Sequence, residues 1–400
     1  MNKRHFRLAS FILIMIMLIT CFTACATYDA FIDEFVETDE KPEETVRIGV
    51  YEPLSGKDKE KGELEKIGIE LAHELYPIAL NKPVELIYAD NQSDIYVAEE
   101  AIQELIAQRP AVVLGSYGDI YSLAAIPYLE EAKIPAIAIT NTNPLVTSHN
   151  PYYFRICFVE TYQGIALAKF TVEDLKISNA AIMMPKNDDT VIAMSKSYEE
   201  KLIQMTGDEN AVRFTIEYDP NQESFETEIM RLKNSDTKAV FLPTNREEAF
   251  RILTEAYNQD YKAVFMGTDE WDSEEFIATL GKAADLVAIS TVYDPDTQIN
   301  EMSEVFMDAY KEKYGEESIP APEVALGFDA YIIAIDSLNR IGTALDGELL
   351  AESIGLETKF PGVSGNITLD ANGDPMKSVV IKGVKNGEFV SLYTMEPIFQ

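Results

Sequence analysis

Short apolar runs separated by amphipathic stretches set the rhythm of the chain from residue 46 onward. VRIGV (46–50), VELIYA (84–89), AVVLG (111–115), IPAIAI (134–139), AAIMM (180–184), AVFL (239–242), AVFMG (263–267) and LVAIS (286–290) have the length and composition of buried strands. Between them the apolar period changes. Ile95, Ala98, Ala101, Ile102, Leu105 and Ile106, for example, share one face at a helical spacing of about 3.6 residues. Regular alternation of this kind predicts an α/β fold with parallel sheets covered by helices on both faces. Eight or more strands suit one barrel or two sheets, and periodicity does not choose between them. The C-terminal segment, 367–393, breaks the rhythm: turn signals at Asn372-Gly373 and Asn386-Gly387 between alternating strands predict antiparallel ribbon.

The N-terminus has a different pattern. Lys3, Arg4 and Arg7 precede an uncharged apolar run over 8–19 that is short for a bilayer span, so it is expected to be a signal peptide. The run meets Cys21 and Cys25, and Phe22-Thr23-Ala24 before Cys25 resembles a bacterial lipobox, in which a small residue precedes a cysteine that is lipidated. Cys25 is favoured for its Ala24; Cys21 has the better Leu18 three places earlier but Thr20 beside it. A plain signal peptide with buried cysteines is the alternative. Residues 26–45 are rich in Asp and Glu without sustained pattern and are expected to tether an extracytoplasmic domain to its lipid anchor.

Composition narrows the function classes. With 400 residues and 46% hydrophobic content the chain can fill two lobes of ordinary size. If cleavage falls at Cys25, Cys157 is the only cysteine left for pairing, so stability must come from a packed core rather than a disulfide. A formal net charge of -35 argues against nucleic acid, whose phosphates require surplus Lys and Arg. The simplest reading of that acidity is solubility through self-repulsion.

Candidate chemistry collects at strand ends, where parallel α/β sheets place their ligands. The ordered segments GVYEPLSG (49–56), YADNQSD (88–94), TNTNPLVT (140–147), YQG (162–164), MGTDEW (266–271) and FPGVSGNITLDANGDP (360–375) are weak singly and specific together. From about residue 46 to the end, the chain resembles the branched-chain amino-acid binding proteins, type I periplasmic binding proteins that feed ABC transporters. The resemblance implies two Rossmann-like lobes joined by three crossovers with the ligand in the cleft between them. Carried over, lobe 1 takes 46–157 and 293–362, and lobe 2 takes 158–292 and 363–400. It further implies a small-molecule ligand, permease subunits as partners and a monomeric chain. Strand carboxyl ends beside helix N-termini suit an anionic ligand group such as an α-carboxylate, and lobe closure would couple binding to a shape change that a transporter reads.

The resemblance also suggests a ligand set. Asp269 matches the acidic residue that pairs with the ligand ammonium, with Trp271 packed nearby. Asn141 and Thr142 fall on the loop that holds the amino-acid head group, and Leu54 and Ser55 on the first loop, where a plain turn is an equal alternative. Tyr117, Gly118 and Asn245 complete the candidates. Two positions depart from the family. The third strand usually offers a serine to the ligand carboxylate, whereas the best register of GSYGDIYSLAA puts Asp119 there, with Ser116 and Ser122 to either side; a family tyrosine falls near Asp189. One carboxylate about 5 Å from a ligand carboxylate costs roughly 3 kcal/mol at an effective dielectric of about 20, or about two decades of affinity. A ligand with more positive charge or more hydroxyls than a branched-chain amino acid is therefore expected, unless the register slips by a residue or Asp119 caps the following helix.

Enzymatic readings find little support. His5, His73 and His149 are scattered, and no HExxH, GxSxG, CxxC or P-loop pattern occurs. Asp370, Asn372 and Asp374 imitate the start of a calcium loop, but Pro375 stands where its glycine is required, so a hairpin turn is expected. Neither cofactor nor metal is expected. Sensing is the other function class for this fold: a lipoprotein that presents its solute to a separate membrane receptor would have the same sequence features.

Overall fold

The computed structural model describes residues 44–235, 237–296 and 300–395; the signal segment, Cys21, Cys25 and all but the end of the acidic tether lie outside them. Two sheets rather than one barrel organise residues 45 to 395. In the first half the chain runs β1 (Val46–Glu52), α1 (Lys59–Leu75), β2 (Ile78–Ala79), β3 (Lys82–Asp90), α2 (Ile95–Ala107), β4 (Val112–Gly115), α3 (Asp119–Ala132), β5 (Ala136–Ala138) and β6 (Tyr153–Arg155). Then follow α4 (Glu160–Glu173), β7 (Ala180–Pro185), α5 (Asp189–Thr206), β8 (Val212–Tyr218), α6 (Glu226–Asn234), β9 (Ala239–Phe241), α7 (Arg246–Asn258), β10 (Val264–Gly267), α8 (Glu274–Leu280) and β11 (Val287–Thr291). The chain closes with α9 (Glu301–Tyr314), α10 (Pro322–Ile341), α11 (Gly347–Gly355), β12 (Phe360–Gly362), β13 (Gly365–Leu369), β14 (Pro375–Met376), β15 (Val379–Lys385) and β16 (Glu388–Met395).

The first sheet has the order β2-β3-β1-β4-β5-β6, parallel except at β2. Its register sets Ile48 between Leu86 and Val112. Side chains alternate: Ile48, Val50 and Leu114 pack into the core shared with α10, whereas Tyr51 and Val113 pack with Ala98, Ile102 and Leu105 of α2 on the other face. The second sheet runs β16-β15-β11-β10-β9-β7-β8, with parallel central strands and the C-terminal hairpin added antiparallel to β11. Asn386 and Gly387 both have positive φ, 57° and 84°, as the tight turn between β15 and β16 requires. A small antiparallel sheet, β12-β13-β14, lies beside β6, where the Arg155 backbone N–H donates to Gly373 O.

Both large sheets have a point where chain order reverses, between β1 and β4 in the first and between β7 and β9 in the second. Loops leaving such neighbouring strands run in opposite directions and open a crevice. Loops from both crevices line a single cleft, and the chain passes from the first sheet to the second after β6 and rejoins the second at β15.

Candidate functional site

The cleft has a volume of about 1100 Å³ and is lined from both lobes by the loops at the carboxyl ends of their strands. On the first lobe, the loop after β4 is pinned from below: Tyr117 N–H donates to the buried Glu52 Oε2 at 2.8 Å. A Cβ on Gly115 would lie 2.2 Å from Tyr51 O, and its φ is 106°, so only glycine lets this loop close over β1. Asp119 opens α3 yet does not cap it. Its Oδ1 instead accepts from Thr142 N–H and Asn143 N–H, both at 3.2 Å, and ties the loop after β4 to the loop after β5. Thr142 Oγ1 donates to Glu160 Oε1 at 2.6 Å. Asn141 is buried: its Oδ1 accepts from Ser122 Oγ at 3.2 Å and its carbonyl from Arg155 Nη1 at 3.2 Å.

On the second lobe, Asp188 and Asn245 cap α5 and α7, accepting from Val191 N–H and Glu248 N–H. A short 3-10 turn, Asp269–Trp271, follows β10. Gln163, from the first turn of the crossing helix α4, grips it with both ends of its amide: Nε2 donates to Asp269 Oδ1 at 2.9 Å, and Oε1 accepts from Asp269 N–H at 3.3 Å and Ser290 Oγ at 2.6 Å. Trp271 is fully buried behind that turn, with Nε1 donating to Thr244 O at 2.7 Å and the indole over Gly267, where a Cβ would meet the ring at 2.3 Å.

Of the residues singled out in the sequence, Tyr117, Gly118, Asp119, Asn141, Thr142, Asn245 and Asp269 line the cleft, and Leu54, Ser55, Asp189 and Trp271 do not. Leu54 and Ser55 form a turn whose backbone N–H groups both donate to Asp90 Oδ1. Asp189 is exposed in the first turn of α5, and its neighbour Asp188 takes the lining position, a slip of one residue. Trp271 supports the loops after β9 and β10 from behind. Ser116 and Ser122 are both buried, the first accepting from Asn91 Nδ2 and the second committed to Asn141. Glu160, Gln163, Lys61 and Glu323 line the cleft but escaped the sequence reading. Gln163 alone carried a signal, the YQG segment.

The lining is strongly acidic, with nine Asp or Glu against three Lys or Arg. Lys61 ion-pairs with Glu323, Lys382 behind the lining pairs with Asp272 at 3.0 Å, and Arg246 Nε donates to Glu270 O. Asp119, Glu160 and Asp269 have amide or hydroxyl donors and no Lys or Arg partner among the described residues. Burial pushes the Asp269 carboxyl up to about 6, with the Glu270 and Glu323 charges adding to it. Burial likewise pushes Glu160 up to about 7, with Asp119 and Asp269 adding repulsion. These carboxyls are short of positive charge. Among the described residues no group of His, Cys, Asp and Glu is placed to hold a metal ion.

A cleft at facing strand ends between two α/β lobes has close counterparts among known proteins. Residues 45–388 match the sequence model described as "Periplasmic binding protein". The chain belongs to this family. A leucine binding protein, LivK, from Thermotoga maritima MSB8 superposes with a TM-score of 0.74 at 30% identity, over 88% of this chain and 99% of that one. The Leu/Ile/Val-binding protein homolog 2 of Brucella abortus (strain 2308) is 25% identical over 344 residues, 83% of this chain and 88% of the relative. A solute binding protein from R. palustris, solved in complex with benzoate, shares the fold at 18% identity with a TM-score of 0.71, over 88% of this chain and 97% of that one. Family membership implies an extracytoplasmic location, and these relatives are named as binding proteins. Among the described residues no helix is long and apolar enough to cross a membrane.

Proposed function

We propose that this protein is the solute-binding component of an ABC importer, held outside the cell by a lipid on Cys25. Its two lobes close on a small polar solute, an amino acid or a related compound richer in positive charge or hydroxyls than leucine, and present it to the permease subunits. The relatives named for leucine and for Leu/Ile/Val support the amino-acid class. One observation carries the departure from leucine itself: Asp119, Glu160 and Asp269 line the cleft with no Lys or Arg paired to them among the described residues. A solute ammonium supplies that charge, and its own desolvation is offset by three carboxylates already oriented by hydrogen bonds.

Asp269→Asn tests this reading, because the amide keeps an oxygen for Gln163 Nε2 and removes only the charge. The expected result is a loss of at least about tenfold in affinity for ammonium-bearing solutes, or about 1.4 kcal/mol, with the melting temperature of the unliganded protein unchanged or raised. Calorimetric titration of both proteins with a panel of amino acids, amides and polyamines measures it. Unchanged affinity in D269N for every solute that binds the wild type would remove Asp269 from the site.

A further inference from the structure

The cleft supplies its own anion. Two consecutive backbone N–H groups in the loop after β5, those of Thr142 and Asn143, converge on Asp119 Oδ1 at 3.2 Å each. A pair of amides aimed at one point is the arrangement that would receive the carboxylate of an α-amino acid, and here an internal carboxylate occupies it. Of the lining cations, Lys61 is paired with Glu323, Arg246 Nε donates to Glu270 O, and Lys186 is exposed; none is paired with Asp119, Glu160 or Asp269 among the described residues.

Beside the Asp119 contact is a donor that is still unused. Asn141 lines the cleft and is 2% exposed, with Oδ1 taken by Ser122, but its Nδ2 has no hydrogen-bond partner among the described residues. A buried amide N–H₂ left unpaired is costly and marks the place of a missing acceptor. That acceptor should be neutral, because a second anion here would stand against Asp119 and Glu160.

Resting on the proposed function, we infer that the solute is an organic cation without a free carboxylate next to its ammonium: an amine, diamine or amino-acid amide. Its ammonium lies among Glu160, Asp269 and Asp119, and where the solute carries a hydroxyl or amide carbonyl, that group accepts from Asn141 Nδ2. Asp119 is the specificity-determining residue, because it fills the carboxylate subsite and repels any ligand that brings a carboxylate of its own.

Matched pairs differing only at the carboxylate give the test. Full-length mature protein, unfolded and refolded to strip any copurified solute, is titrated calorimetrically with leucine and leucinamide, and with ornithine and 1,4-diaminobutane. The expected result is that at least one carboxylate-free member binds ten- to a hundredfold tighter than its carboxylate partner. Asp119→Ser, which releases the two amides and removes the charge, should narrow or invert that ratio. Tighter binding of leucine or ornithine than of its partner by the wild type overturns this inference and leaves the ammonium-binding function standing. Absence of binding by all four compounds overturns this inference and leaves the proposed function to the wider panel. The wild-type comparison decides even if D119S fails to fold.

Discussion

Glu65 of α1 and Glu52 at the end of β1 are both fully buried, and each holds a loop of the cleft: Glu65 accepts from Thr140 Oγ1 and Glu52 from Tyr117 N–H. Burial pushes Glu65 up to about 7, with Glu323 raising it further and the Glu52, Thr140 and Lys61 contacts opposing; burial and the charge of Glu65 push Glu52 up as well. An acid with a raised folded-state pKa holds its proton where the unfolded chain has lost it, so its contribution to stability is full below about 4.5 and fades as pH rises through about 7. Melting temperature should therefore fall over that window. Glu65→Gln keeps a carbonyl for Thr140 and cannot ionise, so it should remove on the order of 3 kcal/mol of the pH dependence. Parallel melts of E65Q and wild type isolate this contribution from those of Glu160 and Asp269; identical slopes would contradict it. At this scale the polar ends of apolar runs were legible, but it was the family resemblance carried by TNTNPLVT and MGTDEW that made Asn141, Thr142 and Asp269 stand out. Glu160 and Gln163 did not, because they start a helix that crosses between lobes and follow no central strand. Glu52 and Glu65 were also invisible: their charge suggests solvent, and only the close approach of β1 and α1 buries them.

At the scale of elements, α1 and α10 meet almost backbone to backbone. A Cβ on Gly68 would fall 2.0 Å from Val324 O, and one on Gly327 would fall 2.2 Å from Glu65 O. Neither obstacle is a side chain that can rotate away, so one helix would have to move. Gly68→Ala and Gly327→Ala should each destabilise by about 1–3 kcal/mol, the usual cost of overpacking, despite the better helix propensity of alanine. Denaturant titration measures it, and a stabilised G68A would show that propensity outweighs the clash. Because α1 carries Lys61 and Glu65 and α10 carries Glu323, such a shift should also weaken solute binding. The apolar runs located β1, β3, β4, β5, β7, β9, β10 and β11 to within a residue or two of their observed ends. They passed over β8, an edge strand whose VRFTIEY buries only Ile216 and Tyr218, and the three-residue β6. β8 buries too little apolar surface to leave a run, and β6, although buried throughout, is only three residues long and ends in Arg155.

For the whole molecule, binding and proton balance are linked through the cleft. Burial, with repulsion from neighbouring carboxylates, pushes the unliganded Glu160 up to about 7 and Asp269 up to about 6. A bound ammonium stabilises the carboxylates and draws both values down, so near pH 6.5 part of a proton must leave the protein for each solute captured. The binding enthalpy should then depend linearly on the ionisation enthalpy of the buffer, with a slope reporting release of a fraction of a proton up to about one. D269N should reduce that slope, since one of the two titrating groups is gone. By the same linkage, affinity for a cation should weaken as pH falls from 7 to 5.5, where Glu160 and Asp269 already hold most of their protons. The net charge of -35 reinforces capture at low ionic strength, because a cationic solute approaches down the field of the whole protein. Raising salt should therefore slow association while leaving the proton slope in place, as those carboxyls are screened by the closed lobes rather than by ions. Calorimetry in phosphate and in imidazole at pH 6.5 separates the two effects. Proton uptake on binding, or an enthalpy independent of buffer, would mean that the solute does not place its charge beside Glu160 and Asp269.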